Sequence, residues 1–168
     1  PLAQVLPSIA AAHGERYAGY TIRQVCKEMH EFYRQGNIKE LQRLCFRASS
    51  FPQPALSPKD AYEALVANEV DYVPLESIQG RISATLALLS PPGIGVIVPG
   101  ERWDDKAKPM LDYFLAFQES FNRFPGFNYE VQGVFQERVD GRIKFHTYVV
   151  READAARHPK KGGQRARA

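Results

Sequence analysis

An α+β fold is the class this sequence predicts: N-terminal helices, a small mainly antiparallel sheet, one long amphipathic helix and a C-terminal β-hairpin. Three observations predict it. Apolar residues recur at helical spacing as far as Val66. Two-residue alternation then flanks an Asp-Gly turn near the C-terminus. Between these regions strands and helices do not alternate regularly, which excludes the repeating βα units of a parallel sheet.

The first helix opens at Thr21-Ile-Arg-Gln24, a capping-box pattern in which hydroxyl and amide side chains each satisfy an orphan backbone N–H. Ile22, Val25, Cys26, Met29 and Tyr33 form its apolar stripe, and Gly36 supplies a stop. Asn37 is suited to cap a second helix with Leu41, Leu44 and Cys45 on its apolar side. Ser57-Pro58 opens a third, with Ala61, Leu65 and Val66 as the buried stripe. Tyr72-Val73-Pro74-Leu75 is short and extended, because a residue before proline is held out of the helical region. Arg81–Leu89 reads as one strand and Gly93–Val98 as another, separated by the stiff bend Ser90-Pro91-Pro92-Gly93. Pro99-Gly100-Glu101 is a turn. Asp104 and Asp105 stand at the start of the long helix, where negative charge complements its dipole. That helix carries Met110, Leu111, Phe114, Leu115, Phe117 and Phe121, and Phe124-Pro125-Gly126-Phe127 ends it. Tyr129–Arg138 and Arg142–Val150 are the arms of the hairpin.

Composition fits one soluble globular domain, with 44% hydrophobic residues. No apolar run is long enough to cross a bilayer, and no secretory signal opens the chain. It begins at Pro1 without a Met, which suits a piece of something longer and equally a processed terminus. Net charge is +3, but six basic and two acidic residues lie from Arg151 onward, so residues 1–150 carry about −1. A nucleic-acid binder needs its basic patch on the folded body, so that class is excluded. Residues 1–152 are read as a single domain and 153–168 as a basic, disordered tail. Cys26 and Cys45 both fall on apolar helix positions, which suits packed thiols in a reducing, cytoplasmic setting.

No self-contained chemistry emerges. His13, His30, His146 and His158 offer no pair at metal-ligand spacing. Gly93-Ile-Gly95 lacks the third glycine and the following helix of a phosphate loop. Glu101 reads as a turn anchor and the two aspartates as helix-start residues. Tyr113, Phe114, Phe117, Phe121, Phe124 and Phe127 read as core, or alternatively as a subunit interface. No catalytic, cofactor-binding or metal-binding residue is assigned.

Several stretches in order do resemble a known family. Arg16-Tyr-Ala-Gly-Tyr20, Ile38–Arg43, Gly80-Arg81-Ile82, Pro91-Pro92-Gly93-Ile94, Pro99-Gly100-Glu101, Phe124–Phe127 and Gln132-Gly133-Val134 are similar to the C-terminal domain of the bacterial ornithine/lysine/arginine decarboxylases. Residues 1–43 look most like the ornithine branch, with lysine and then arginine as rivals. The resemblance implies a parent enzyme using pyridoxal 5'-phosphate, bound by a lysine after a Ser-x-His pattern. None of the eight lysines here follows that pattern, so the cofactor is expected on an upstream domain of the same polypeptide. It also implies a homo-oligomeric parent, and an approach to the active site through Ser90, Pro91, Pro92, Gly93 and Ile94. Family members typically carry Tyr where this chain has Ser90, which leaves a hydroxyl but removes an aromatic wall. The alternative reading is a non-catalytic oligomerisation or regulatory module of the same enzyme. An independent binding protein on a reused fold ranks third.

Overall fold

A computed structural model describes residues 1–90 and 93–155. Three short helices, α1 (Leu2–Val5), α2 (Pro7–Ala12) and α3 (Gly14–Tyr17), precede α4 (Ile22–Gln35), α5 (Ile38–Cys45) and α6 (Pro58–Val66). Strands β1 (Val70–Pro74), β2 (Ile82–Ser83), β3 (Ala87–Ser90) and β4 (Ile94–Ile97) lead to the long helix α7 (Lys108–Arg123). The chain closes with β5 (Glu130–Gln132), β6 (Phe135–Val139), β7 (Arg142–Val150) and α8 (Glu152–Ala155). The fold class is α+β, as expected. Its sheet, however, is two antiparallel sheets: β1-β7-β2 with β6 also on β7, and β4-β3-β5.

Several local expectations hold for the stated reasons. Thr21 and Gln24 form the reciprocal capping box, and Ser57 Oγ accepts from the Asp60 N–H at 3.1 Å at the start of α6. Asp104 Oδ1 accepts from the N–H groups of Lys106 and Ala107, but it caps a 3-10 turn (Asp105–Ala107) that precedes α7, whose own first turn from Lys108 holds no acidic residue. Asp140 and Gly141, at φ 50° and 76°, make the hairpin turn between β6 and β7.

Others are corrected by tertiary structure. The strand expected over Arg81–Leu89 is broken, because Ser83 Oγ donates to the Thr85 carbonyl and the Ala84 N–H donates to Tyr148. The chain there leaves one sheet and enters the other. Tyr129–Arg138 is likewise split at Gly133, with β5 and β6 in different sheets. Asn37 precedes α5 in a left-handed conformation, φ 52°, and its side chain makes no cap bond. It is therefore the residue that turns the chain between α4 and α5, while Gly36 stays at a right-handed φ of −74°. Cys26 is exposed and only Cys45 is buried, and Val66 is exposed where Ala64 fills the core instead. Helix α8 follows β7, with Asp154 paired to Arg151. The rest of the basic tail, and His158, lie outside the described residues.

Helix α7 is the spine shared by both sheets. Its Met110, Phe114, Phe117 and Phe121 join Phe145 and Val149 of β7 and Ala87, Leu89, Val96 and Ile97 of β3 and β4 in one core. The aromatic cluster is thus packing, with Phe114, Phe121 and Phe124 fully buried. Helix α6 covers the far face of the larger sheet through Ala61 and Ala64 against Val70, Ile82 and Val150.

The N-terminal helices are fastened by Arg16. Its guanidinium lies over Tyr17 and Tyr20 and donates to Glu28 at 2.7 Å and to the Arg123 carbonyl at 3.1 Å. Tyr20 also donates to Glu28, at 2.8 Å. The bonds from Arg16 and Tyr20 hold the Glu28 carboxyl below its ordinary value of 4.5. A depressed carboxylate stabilises the fold above that ordinary value and loses its contribution as pH falls through the depressed one. Glu28→Gln is therefore expected to cost about 1 kcal/mol at pH 7. Urea unfolding checks it, and the gap from the unsubstituted chain should narrow as pH falls below the ordinary carboxylate value.

Candidate functional site

The β3–β4 hairpin carries the bend expected to matter. Leu89 pairs with Ile94, Ser90 pairs with Glu130 of β5, and the Gly93 N–H donates to Leu89 at 3.0 Å. Gly93 has φ 72°, a conformation that glycine adopts without steric cost. Gly95 has a packing reason of its own, since a Cβ there would lie 2.6 Å from Leu86 Cδ1. Pro91 and Pro92 are outside the described residues.

Ser90 is half-buried and lines a cavity of about 450 Å3. Its hydroxyl has no hydrogen-bond partner among the described residues. The walls are aromatic: Tyr33 from α4, Tyr113 and Phe117 from α7, and Tyr129 just before β5. Their rings pack 5.0–5.9 Å apart, Phe117 being in contact with all three tyrosines. The left-handed turn at Asn37 sets α5 against α7, which brings Ile38 into the same wall. Exposed His30, Arg34 and Lys39 stand around the rim, Arg34 being paired with Glu31 at 2.6 Å.

Burial pushes the Tyr33 phenol well above its usual range, and Tyr113 up to about 12. Both stay protonated near neutrality and act as O–H donors or acceptors. Tyr33 already shares a hydrogen with Ser120 at 2.7 Å. Cys45, on the other side of α5, is pushed up to about 12 by burial, so its thiol is unreactive. The cavity can therefore shape and select a ligand or a neighbouring surface. Its ionisable lining groups besides the phenols are His30, Arg34 and Lys39, and among the described residues no cluster of His, Cys, Asp or Glu is arranged to hold a metal.

Ser90 and Ile94 do not share a wall. Ile94 is 53% exposed and faces a second groove with Phe46, Phe51 and Val98. His30 is the helix-surface residue expected of it, and His146 stacks on Tyr72 at 5.1 Å, far in sequence from the bend. Glu101 anchors its turn by accepting from the Val98 N–H at 2.9 Å. Reading the sequence did not single out Tyr33, Tyr113 and Tyr129 as a cavity wall. The available signal was phenol in place of phenyl within otherwise apolar stripes, since a buried tyrosine needs a partner or an opening.

Among the described residues no lysine is placed to carry the pyridoxal phosphate that the resemblance implies. A Schiff-base lysine needs an enclosed amine. Among the described lysines, Lys27, Lys39, Lys59, Lys106 and Lys108 are exposed, and Lys144 is ion-paired with Glu76.

An α+β domain with an aromatic-walled cavity beside the β3–β4 bend is the class that fold and site define. The model of the family described as Orn/Lys/Arg decarboxylase, C-terminal domain, matches residues 39–151. The chain belongs to that family. It is 47% identical over 155 residues to the inducible ornithine decarboxylase of Escherichia coli K12, covering 92% of this chain and 21% of that protein. It is 45% identical to the ornithine decarboxylase of Haemophilus influenzae, covering 89% and 20%. Among solved structures, lysine decarboxylase A of Pseudomonas aeruginosa superposes with a TM-score of 0.81 at 33% identity, covering 90% of this chain and 20% of that one. The chain spans about a fifth of the length of these relatives.

Proposed function

We propose that residues 1–152 form the C-terminal domain, with 153–168 as a basic tail, of a pyridoxal-phosphate-dependent basic amino-acid decarboxylase. Ornithine is the substrate favoured, giving putrescine and CO2, with lysine to cadaverine next. Identity supports that order: four ornithine decarboxylases match at 41–47%, against 40% and 34% for a lysine and an arginine decarboxylase. An upstream domain of the same polypeptide holds the cofactor, whose ring takes up the electron pair released when CO2 leaves. The parent is a cytoplasmic homo-oligomer, and no helix among the described residues is long and apolar enough to cross a membrane.

The bend Ser90–Ile94 is this domain's approach to the substrate. The observation that carries this is the half-buried Ser90 hydroxyl, without a partner among the described residues, on the wall of the aromatic cavity. A short hydroxyl there leaves room that a tyrosine would fill, so Ser90 sets the space available for the substrate chain. In the parent enzyme, Ser90→Tyr is expected to change the ratio of kcat/KM for ornithine over lysine at least about tenfold, a shift of about 1.4 kcal/mol. Ser90→Ala keeps the space and should move the ratio less. Unchanged constants for both variants on both substrates would remove Ser90 from the active site. The chain alone, mixed with pyridoxal phosphate and ornithine, should release no CO2.

A further inference from the structure

The other side of the same hairpin carries an uncovered apolar groove of about 280 Å3. Strand β4 and the residue after it present Ile94, Val96 and Val98 on one face, as two-residue alternation requires. Opposite them stand Phe46, Phe51 and Pro52, from the segment between α5 and α6, and Cys45 and Met110 form the floor. Four large apolar side chains line its rim and remain open to solvent: Phe51 at 54%, Ile94 at 53%, Phe46 at 40% and Val98 at 36%. Among the described residues strand β4 is also the outer strand of its sheet, with β3 as its partner strand. Glu101 is the single ionisable carboxylate in the lining, and it is engaged with the Val98 N–H. Contiguous exposed apolar surface of this kind marks a protein contact.

We infer that this groove is the seat of the cofactor-carrying part of the parent decarboxylase, which packs Phe46, Phe51, Ile94 and Val98 against an apolar surface of its own. The inference rests on the function proposed above and assigns the face through which it is carried out. Two observations choose this occupant. The relatives have about four fifths of their length outside the region this chain matches, so a large body of protein remains to be contacted. Ile94 is both the last residue of the bend and part of the groove rim, so a body closing over the bend also meets the groove. A charged small molecule is not matched, because among the described residues the lining offers it no free charge.

The test places p-benzoylphenylalanine at Phe51, and separately at Phe46, in the full parent polypeptide. Both positions are exposed, so the substitution does not disturb the core. After irradiation and digestion, the expected result is cross-links to peptides of the cofactor-carrying part, at least tenfold more abundant than those from the same probe at Tyr62, an exposed residue on α6. Cross-links that join two chains through this domain, seen as a product of twice the parent mass, would show a second copy in the groove and overturn the assignment. Labelling no greater than at Tyr62 would overturn it as well. CO2 release by the parent is measured alongside. An active parent without these cross-links fails the groove alone, whereas a parent inactive on ornithine, lysine and arginine fails the proposed function.

Discussion

Gly133→Ala is expected to cost at least about 4 kcal/mol, far beyond an ordinary loop substitution. Gly133 stands between β5 and β6, at the point where the chain passes from one sheet to the other. Its φ is 73°, and a Cβ there would lie 1.8 Å from the Leu86 carbonyl oxygen and 2.7 Å from its carbon. Backbone, rather than a flexible side-chain end, occupies the space, so the other crossing strand must shift. The Gly133 carbonyl also accepts from the Thr147 hydroxyl at 2.6 Å, with Thr85 Oγ1 at 3.1 Å from the same oxygen and 2.8 Å from Thr147 Oγ1. Thr147 is fully buried, so moving that carbonyl would leave a buried hydroxyl donor without its acceptor. Gly141→Ala is the control: φ is 76°, but nothing lies within 4 Å of the added Cβ. It should cost only about 1 kcal/mol, the left-handed penalty alone. Urea unfolding of both variants decides the matter. If Gly133→Ala loses no more than Gly141→Ala, close backbone approach at the sheet crossing is not what requires glycine.

That crossing also marks where the sequence stops being readable. The Thr21 capping box, the Ser57-Pro58 helix start and the Asp140-Gly141 turn are set by neighbours within a few residues, and each appears as the local pattern predicts. The breaks at Ala84–Leu86 and at Gly133 are set by each other. Ser83–Thr85 and Gly133 meet through Thr147, which is 62 residues from Thr85, and no window along the chain contains both. A β-rich run split between two sheets keeps its apolar alternation, so Arg81–Leu89 and Tyr129–Arg138 each read as one strand. Asn37 shows the same limit on a smaller scale. Asn favours both capping and left-handed backbone, and only the packing of α5 against α7 selects the second.

The site was legible as a bend and not as a cavity. Pro and Gly punctuation places the turn after Ser90 without reference to the rest of the chain. The tyrosines that face Ser90 come from α4, α7 and the start of β5, and their convergence depends on how α7 is clamped between the sheets. The same holds for the groove, whose two walls come from Cys45–Pro52 and Ile94–Val98.

The clamp on α7 yields the second large effect. Strand β1 stops at Pro74, paired with His146, because proline brings no N–H to continue the ladder. Beyond it, two side chains of α7 take the place of a strand beside β7. Asn122 Oδ1 accepts from the Ile143 N–H at 2.7 Å, and its Nδ2 donates to the Ile143 carbonyl at 2.9 Å. Gln118 Oε1 accepts from the Phe145 N–H at 2.6 Å, and its Nε2 donates to Glu76 at 2.9 Å. Glu76 is in turn held below its ordinary range: burial opposes the charge, but bonds from Lys144 and Gln118 prevail. Phe145 is fully buried, its ring edge-on to Phe121 at 5.3 Å, so its N–H has no route to water. Gln118→Leu leaves that donor stranded and should cost about 3 kcal/mol, the penalty of an unmet buried group plus the lost bond. Asn122→Leu, at a half-buried position, should cost about 2 kcal/mol, because water can reach part of what it abandons. The double variant should lose less than the sum, since the two amides brace one strand end. Chemical unfolding with tyrosine fluorescence measures all three. Additive losses would mean that the amides act independently. A change under about 0.5 kcal/mol in Gln118→Leu would mean that the strand end is held by the Phe145–Phe121 packing instead.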